Sequence, residues 1–326
     1  MQIQDVFRLY ADDLKRVEAH MEQAIISEAN LIPEIIRHLI SSGGKRFRPL
    51  LLLATSDLCG YKGERRYPIA MVIEFIHTAT LLHDDVIDCA ESRRGNVSAN
   101  NVWGNAASVL VGDFLLSKAF RIMTDDGSLV AMKLISTTTN TMSEGEVLQL
   151  VKRGDLRITE KEYLTIIEKK TSVLISAACV LGGILAEAQE SQIEALTRFG
   201  MRLGSAFQIT DDILDYVGKE EKFGKAIGKD IDEGKITLPL IRALKKCSAQ
   251  ERECIKNAIQ EQDKDKREKA IQETMALIEK YDGISYALQK AKVCIREAKT
   301  FLQPFTDSEA KEALNAIADY LIERNF

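Results

Sequence analysis

Three carboxylates close an otherwise apolar stretch, Leu81-Leu82-His83-Asp84-Asp85-Val86-Ile87-Asp88. On a helix turning about 100° per residue, Asp84 and Asp88 lie within about 40° of each other, one turn apart, with Asp85 on the neighbouring edge. The pair can share a cation. The same spacing returns in Asp211-Asp212-Ile213-Leu214-Asp215, again behind an apolar run, Ala206-Phe207-Gln208-Ile209-Thr210. One such cluster alone is as readily a solvated helix end, because charged side chains are mostly surface side chains. The repetition, the apolar flanks and the absence of Cys/His ligand spacing favour oxygen-ligated magnesium over zinc. Magnesium takes few protein carboxylates and leaves its other positions to water and substrate phosphates, which points to a diphosphate ligand.

Positive charge to meet that ligand must be local. The net charge of −5 gives no reason to expect nucleic acid as a partner. In Gly43-Gly44-Lys45-Arg46-Phe47-Arg48-Pro49 the glycines allow a sharp turn and Pro49 suits the first turn of a new helix, whose unpaired N–H groups favour an anion. Lys45 and Arg48 add mobile and forked charge to the same spot. His77, seven residues before Asp84, lies nearly beneath it on the same helical face and can help hold a phosphate. Arg93 and Arg94 follow just beyond the first cluster. Lys169-Lys170-Thr171 interrupts an apolar helix face, and Gln208 precedes Asp212 by one turn. A glycine- and lysine-rich loop over residues 218–235, with Lys225, Lys229, Asp230 and Lys235, is long enough to be a lid. A lone histidine or a lysine pair on a helix is usually structural or solvated, so these residues take their meaning from the aspartates.

The elements that must position these groups are helices. Apolar periodicity predicts helices over residues 3–28, 31–40, 65–90, 105–125, 128–153, 159–187 and 192–217, with further amphipathic helices from residue 238 onward. No strand pattern of convincing length is present, so the fold class is all-α. A chain of 326 residues exceeds one ordinary core, yet one large helical domain over 1–326 accommodates it. Six cysteines without a C-x-x-C pair read as free thiols in a reducing compartment. With no secretory signal in the first residues and no apolar run long enough to cross a bilayer, a cytoplasmic protein is expected.

Taken together, Gly43 to Pro49, Asp84-Asp85-Val86-Ile87-Asp88 with Arg93-Arg94-Gly95, Gly112-Asp113-Phe114, Lys170-Thr171 and Phe207-Gln208-Ile209 followed by the second cluster resemble the trans-isoprenyl diphosphate synthases. Order and separation match from about residue 40 to about residue 240. The segments Asn105 to Asp113 and Glu144-Gly145-Glu146-Val147-Leu148-Gln149 are most similar to the octaprenyl members. The resemblance implies a helical bundle of the isoprenoid synthase type around a central cavity. It also implies a long-chain polyprenyl diphosphate synthase with an octaprenyl (C40) product, using isopentenyl diphosphate and an allylic diphosphate such as farnesyl or geranyl diphosphate. Two or three magnesium ions, a homodimer and transient membrane contact for product release come with it, and a quinone side chain is the expected use of the product.

By the same resemblance Asp84, Asp85, Asp88, Asp211 and Asp215 serve the metals, with Asp212 beside them in the catalytic set. Arg93, Lys170, Gln208, Lys225 and Lys235 bind the allylic diphosphate, with Thr171 placed beside the cation. Lys45, Arg48, His77 and Arg94 bind isopentenyl diphosphate. In short-product relatives large aromatic side chains four or five residues before the first aspartate close the product tunnel; here those positions are Ala79 and Thr80. The helical wheel puts Thr80 about 40° from Asp84 and Ala79 about 140° away, which favours Thr80 as the lining residue. Phe120, Met123 and Met132 are candidates for the tunnel floor. Other chain lengths from C30 to C50, a terpene cyclase and a non-catalytic regulatory subunit are the alternatives.

Overall fold

The computed structural model describes residues 1–41, 46–93, 95–217 and 228–323. Lys45, Arg94, Lys225 and most of the expected lid lie outside the described residues. Helices dominate throughout, in two compact units.

The first unit comprises residues 1–139, 174–200 and 299–317. It opens with α1 (Ile3–Leu9), α2 (Ala11–Ala24), α3 (Leu31–Ser41), α4 (Phe47–Leu58) and α5 (Arg66–Ile87). The single helix expected over residues 3–28 is broken at Tyr10, a buried residue with non-helical φ −99° and ψ 11°. No proline or glycine announces that break. α5 packs against α2, α4 and α7 (Asn105–Asp126), so it is buried almost all round, and its apolar residues Val72, Ile73, Phe75 and Ile76 are inaccessible. Leu50 to Ala54 of α4 are equally buried.

Buried charge registers these helices against one another. Arg66 donates to Asp57 Oδ1 and Asp13 Oδ1, both at 2.6 Å, and the Tyr67 hydroxyl donates to Asp13 at 2.7 Å. Arg46, with φ 45°, turns its side chain to Glu18 and Glu74, each at 3.2 Å. That arginine therefore anchors the start of α4, while Arg48, the second residue of the helix, is buried. Pairs this buried contribute geometry more surely than net stability.

α5 stops in a Schellman motif. Cys89 takes the left-handed conformation at φ 49°, its N–H bonds Val86 O at 3.3 Å, and Ala90 N–H bonds Asp85 O at 2.9 Å. Two-residue strands β1 (Ser92–Arg93) and β2 (Asn96–Val97) follow as an antiparallel pair, too short for any alternation to reveal. Then come α6 (Ala99–Trp103), α7 and α8 (Leu129–Lys152), of which residues 129–139 belong to this unit.

The second unit comprises residues 140–173, 201–298 and 318–326. The helix expected over residues 159–187 is interrupted: α9 (Glu160–Ile167) passes into a π-helical turn, Glu168–Ser172, before α10 (Val173–Leu185). α11 (Glu190–Val217) ends on the second aspartate cluster. The described part of the expected lid holds a short helix, α12 (Lys229–Asp232). α13 (Leu238–Leu244), α14 (Ala249–Gln260), α15 (Lys264–Lys280), α16 (Gly283–Phe301) and α17 (Glu309–Glu323) complete the chain. Glu160 receives Lys290 at 2.8 Å, Lys245 at 3.2 Å and the Tyr286 hydroxyl at 2.7 Å, tying α9 to α16 and to the end of α13. No disulfide joins the cysteines, and among the described residues no helix is long and apolar enough to cross a membrane.

Candidate active site

In the first unit α5 carries a less buried ridge that broadens toward its C-terminal end, where His83 and Val86 are half-buried and Ile87 is exposed. His77, Thr80, Leu81, Asp84 and Asp88 are half-buried, while Thr78, Ala79, Leu82 and Asp85 between them are buried. The spacing of three and four residues puts the ridge on one side of the helix, as the wheel predicts. Thr80 lies on it, its hydroxyl bonded to His77 O at 2.8 Å, and Ala79 does not, being 1% exposed. Of the floor candidates, Met123 is fully buried, and Phe120 and Met132 are half-buried.

Asp85 differs from its neighbours. It is 1% exposed, and both its oxygens accept from Arg93: Nε to Oδ1 at 2.9 Å, Nε to Oδ2 at 3.0 Å and Nη2 to Oδ1 at 2.7 Å. The helix stop and the small β-ladder fold Arg93 back onto the helix it has just left. Gly112-Asp113 packs on the same region, with Asp113 3.4 Å from His83. A Cβ at Gly112 would lie 2.3 Å from His83 Nε2, so this contact needs glycine.

In the second unit the π-turn carries Lys169, Lys170 and Thr171. Lys169 pairs with Glu144 and Lys170 with Glu146, each at 2.6 Å. Between the two glutamates stands Gly145, where a Cβ would come within 2.7 Å of Lys170 N. The wider π-turn thus rests directly on the backbone of α8, a geometry common at functional positions in helices.

Beneath the second cluster runs a chain of hydrogen bonds. Thr171 Oγ1 donates to Gln208 Oε1 at 2.7 Å, Gln208 Nε2 to Asp212 Oδ1 at 2.7 Å, and the Tyr163 hydroxyl to Asp212 Oδ2 at 2.6 Å. Asp212 is buried, Asp211 is exposed, and Asp215 is half-buried and accepts from Asp230 N–H at 3.0 Å. Lys235 Nζ pairs with Glu233 at 2.6 Å. Burial pushes the Asp212 carboxyl up to about 7; the bonds from Tyr163 and Gln208 oppose this, and the charges of Asp211 and Asp215 add to it. Desolvation, then Asp215 and Asp212, push Asp230 well above the carboxylate range. For both groups burial is the larger cause and the neighbouring carboxylates the smaller one.

Among the described residues no three His, Cys, Asp or Glu side chains converge to enclose an ion.

Residues 29–278 match the family model described as Polyprenyl synthetase. The chain belongs to that family. It is 38% identical over 325 residues to octaprenyl diphosphate synthase of Escherichia coli (strain K12), covering 100% of both chains. Among solved structures it is similar to a decaprenyl diphosphate synthase from Rhodobacter capsulatus (40% identity, TM-score 0.92, 99% of each chain). It is also similar to a polyprenyl synthase from Caulobacter crescentus CB15 complexed with calcium and isoprenyl diphosphate (38% identity, TM-score 0.94, 100% of this chain and 98% of that one). As a polyprenyl synthetase the chain is a trans-prenyltransferase of the isoprenyl diphosphate synthase class, in a family dependent on divalent metal. These relatives are named for products of different lengths, octaprenyl and decaprenyl among them.

Sequence reasoning did not anticipate four contacts of these groups: Glu144 and Glu146 as partners of the lysines, Tyr163 beneath Asp212, and Asp230, read only as part of the loop, beside Asp215. Only the glutamates left a trace, as carboxylates flanking a glycine. Tyr163 and Asp230 meet the cluster through the fold alone.

Proposed function

We propose that this chain is a long-chain all-trans polyprenyl diphosphate synthase with an octaprenyl (C40) product. The observation that carries the reading is the ridge of α5, where Asp84 and Asp88 stand over the small Thr80 rather than over an aromatic side chain. Full-length similarity to an octaprenyl synthase supports it.

In this reading Asp84 and Asp88 of one cluster, and Asp211 and Asp215 of the other, hold magnesium, with Asp85 and Asp212 behind them. Two or three bound ions supply Lewis-acid stabilisation of the departing diphosphate. Arg93, Lys170, Gln208, Lys225 and Lys235 orient the allylic diphosphate, farnesyl or geranyl, and Lys45, Arg48, His77 and Arg94 orient isopentenyl diphosphate. The allylic C–O bond breaks with its electron pair going to oxygen. The isopentenyl double bond then forms the new C–C bond, and loss of a proton to the diphosphate restores an alkene. Stabilisation is needed chiefly as the first bond breaks. Phe120, Met123 or Met132 would set the tunnel floor.

The exposed apolar side chains Leu110 of α7 and Leu129 and Val130 of α8 support a homodimer. A cytoplasmic location, transient membrane contact for release and a quinone side chain as destination complete the proposal.

The test is incubation with magnesium, farnesyl diphosphate and labelled isopentenyl diphosphate, with products resolved by length. A ladder ending near C40 supports the reading. A C15-derived hydrocarbon without label would favour a cyclase, and no product despite binding of both substrates would favour a regulatory subunit.

A further inference from the structure

The hydrogen bonds beneath the second cluster have a direction, and it is set at Tyr163. That ring is 4% exposed, and its hydroxyl donates to one oxygen of Asp212 while Gln208 donates to the other. Both oxygens of Asp212 thus act as acceptors. The NH2 end of Gln208 is therefore held toward Asp212, and its carbonyl oxygen toward Thr171. The hydroxyl proton of Thr171 is then committed to Gln208, leaving lone pairs on its outward side. If the amide were free to turn over, Thr171 would accept from Gln208 and could present its proton instead. A proton aimed at an allylic carbon developing positive charge would oppose ionisation, whereas lone pairs would favour it.

We propose that Tyr163 is a positioning residue that, through Asp212 and Gln208, fixes the Thr171 hydroxyl with its lone pairs toward the cation of the reacting allylic group. The proposal rests on the prenyl transfer reading above. It also gives the middle aspartate of the second cluster a task that explains its burial, since Asp212 serves the amide while Asp211 is exposed. Cooperative buried networks of this kind act as a unit, so their members' contributions do not add.

The test is a double-mutant cycle on the full-length protein with magnesium, farnesyl diphosphate and labelled isopentenyl diphosphate. Tyr163→Phe keeps the ring and removes only the hydroxyl. It is expected to lower kcat about tenfold while leaving both KM values within about twofold. Calorimetric affinity for a thiolo analogue of farnesyl diphosphate, which binds without ionising, is expected to stay within about twofold of wild type. In a Thr171→Val background the same change is expected to cost nothing further. Gln208→Leu, of similar volume, is expected to weaken analogue binding as well, since Gln208 also orients the diphosphate, but its loss in kcat is expected not to add to that of Thr171→Val, which keeps the test open if one variant folds poorly. An unchanged kcat in Tyr163→Phe with normal elongation by wild type overturns the relay alone. So does a loss that adds fully to that of Thr171→Val, or a Tyr163→Phe loss that appears as weaker analogue binding. Absence of elongation by the wild type overturns the functional reading and this inference with it.

Discussion

Asp84 and Asp85 are adjacent in the chain and opposite in surroundings. One lies on the half-exposed ridge of α5; the other is gripped on both oxygens by Arg93. Replacing them should therefore fail in different ways. Asp84→Ala is expected to abolish nearly all turnover with a thermal midpoint close to wild type, because Asp84 is only half-buried on the ridge of α5. Asp85→Ala leaves a guanidinium without its partner and is expected to cost about 2–4 kcal/mol in denaturant unfolding. Equal midpoints for the two variants would refute the distinction. Thr80→Phe puts an aromatic ring on the ridge one turn below Asp84 and is expected to shorten the product ladder; an unchanged ladder would mean that the growing chain runs elsewhere. The helical wheel alone separated Thr80 from Ala79. It could not separate the roles of Asp84 and Asp85, because Arg93 reaches back only after a helix stop and a two-residue ladder.

At the scale of elements, long periodic helices such as α5, α7, α8 and α11 were legible to within a few residues, since each buries an apolar face at helical spacing. The π-turn at Glu168–Ser172 was not. Nothing in Glu-Lys-Lys-Thr-Ser distinguishes it from an α-helical stretch, and its seat is supplied by another helix through Gly145. Gly145→Ala would place a methyl group 2.7 Å from the Lys170 backbone nitrogen, so the turn or α8 must shift. Overpacking of this kind costs about 1–3 kcal/mol. The expected loss in turnover is larger, tenfold or more, because displacing positioned groups by about 1 Å is enough to slow catalysis strongly. Comparison of kcat with the thermal midpoint checks this: a variant that loses stability but keeps wild-type kcat would show that the turn does not position Lys170 and Thr171.

At the scale of the whole molecule, the balance of charge governs stability as well as chemistry. Burial alone would raise the Glu160 carboxyl, but the bonds from Lys290, Tyr286 and Lys245 outweigh it and hold the group at about 2, below its ordinary 4.5. A depressed carboxyl stabilises the folded state above the unfolded pKa, and that contribution is lost as pH falls through the folded value. Stability should thus decline between about pH 4.5 and about pH 2, and Glu160→Gln should flatten that decline in urea unfolding titrations. Asp212, pushed up by its burial, inverts this pattern. α5 ends at Ile87 and α11 at Val217, so both clusters occupy or adjoin the last turn of a long helix. There the aligned peptide dipoles present a partial negative charge of about half an electron, which repels carboxylates rather than welcoming them. Arg93 offsets this for Asp85. A divalent cation at either cluster would offset the helix dipole and the carboxylates gathered on it, so the ligand that enables the reaction would also relieve a repulsion built into the fold, and the protein would be most stable when loaded.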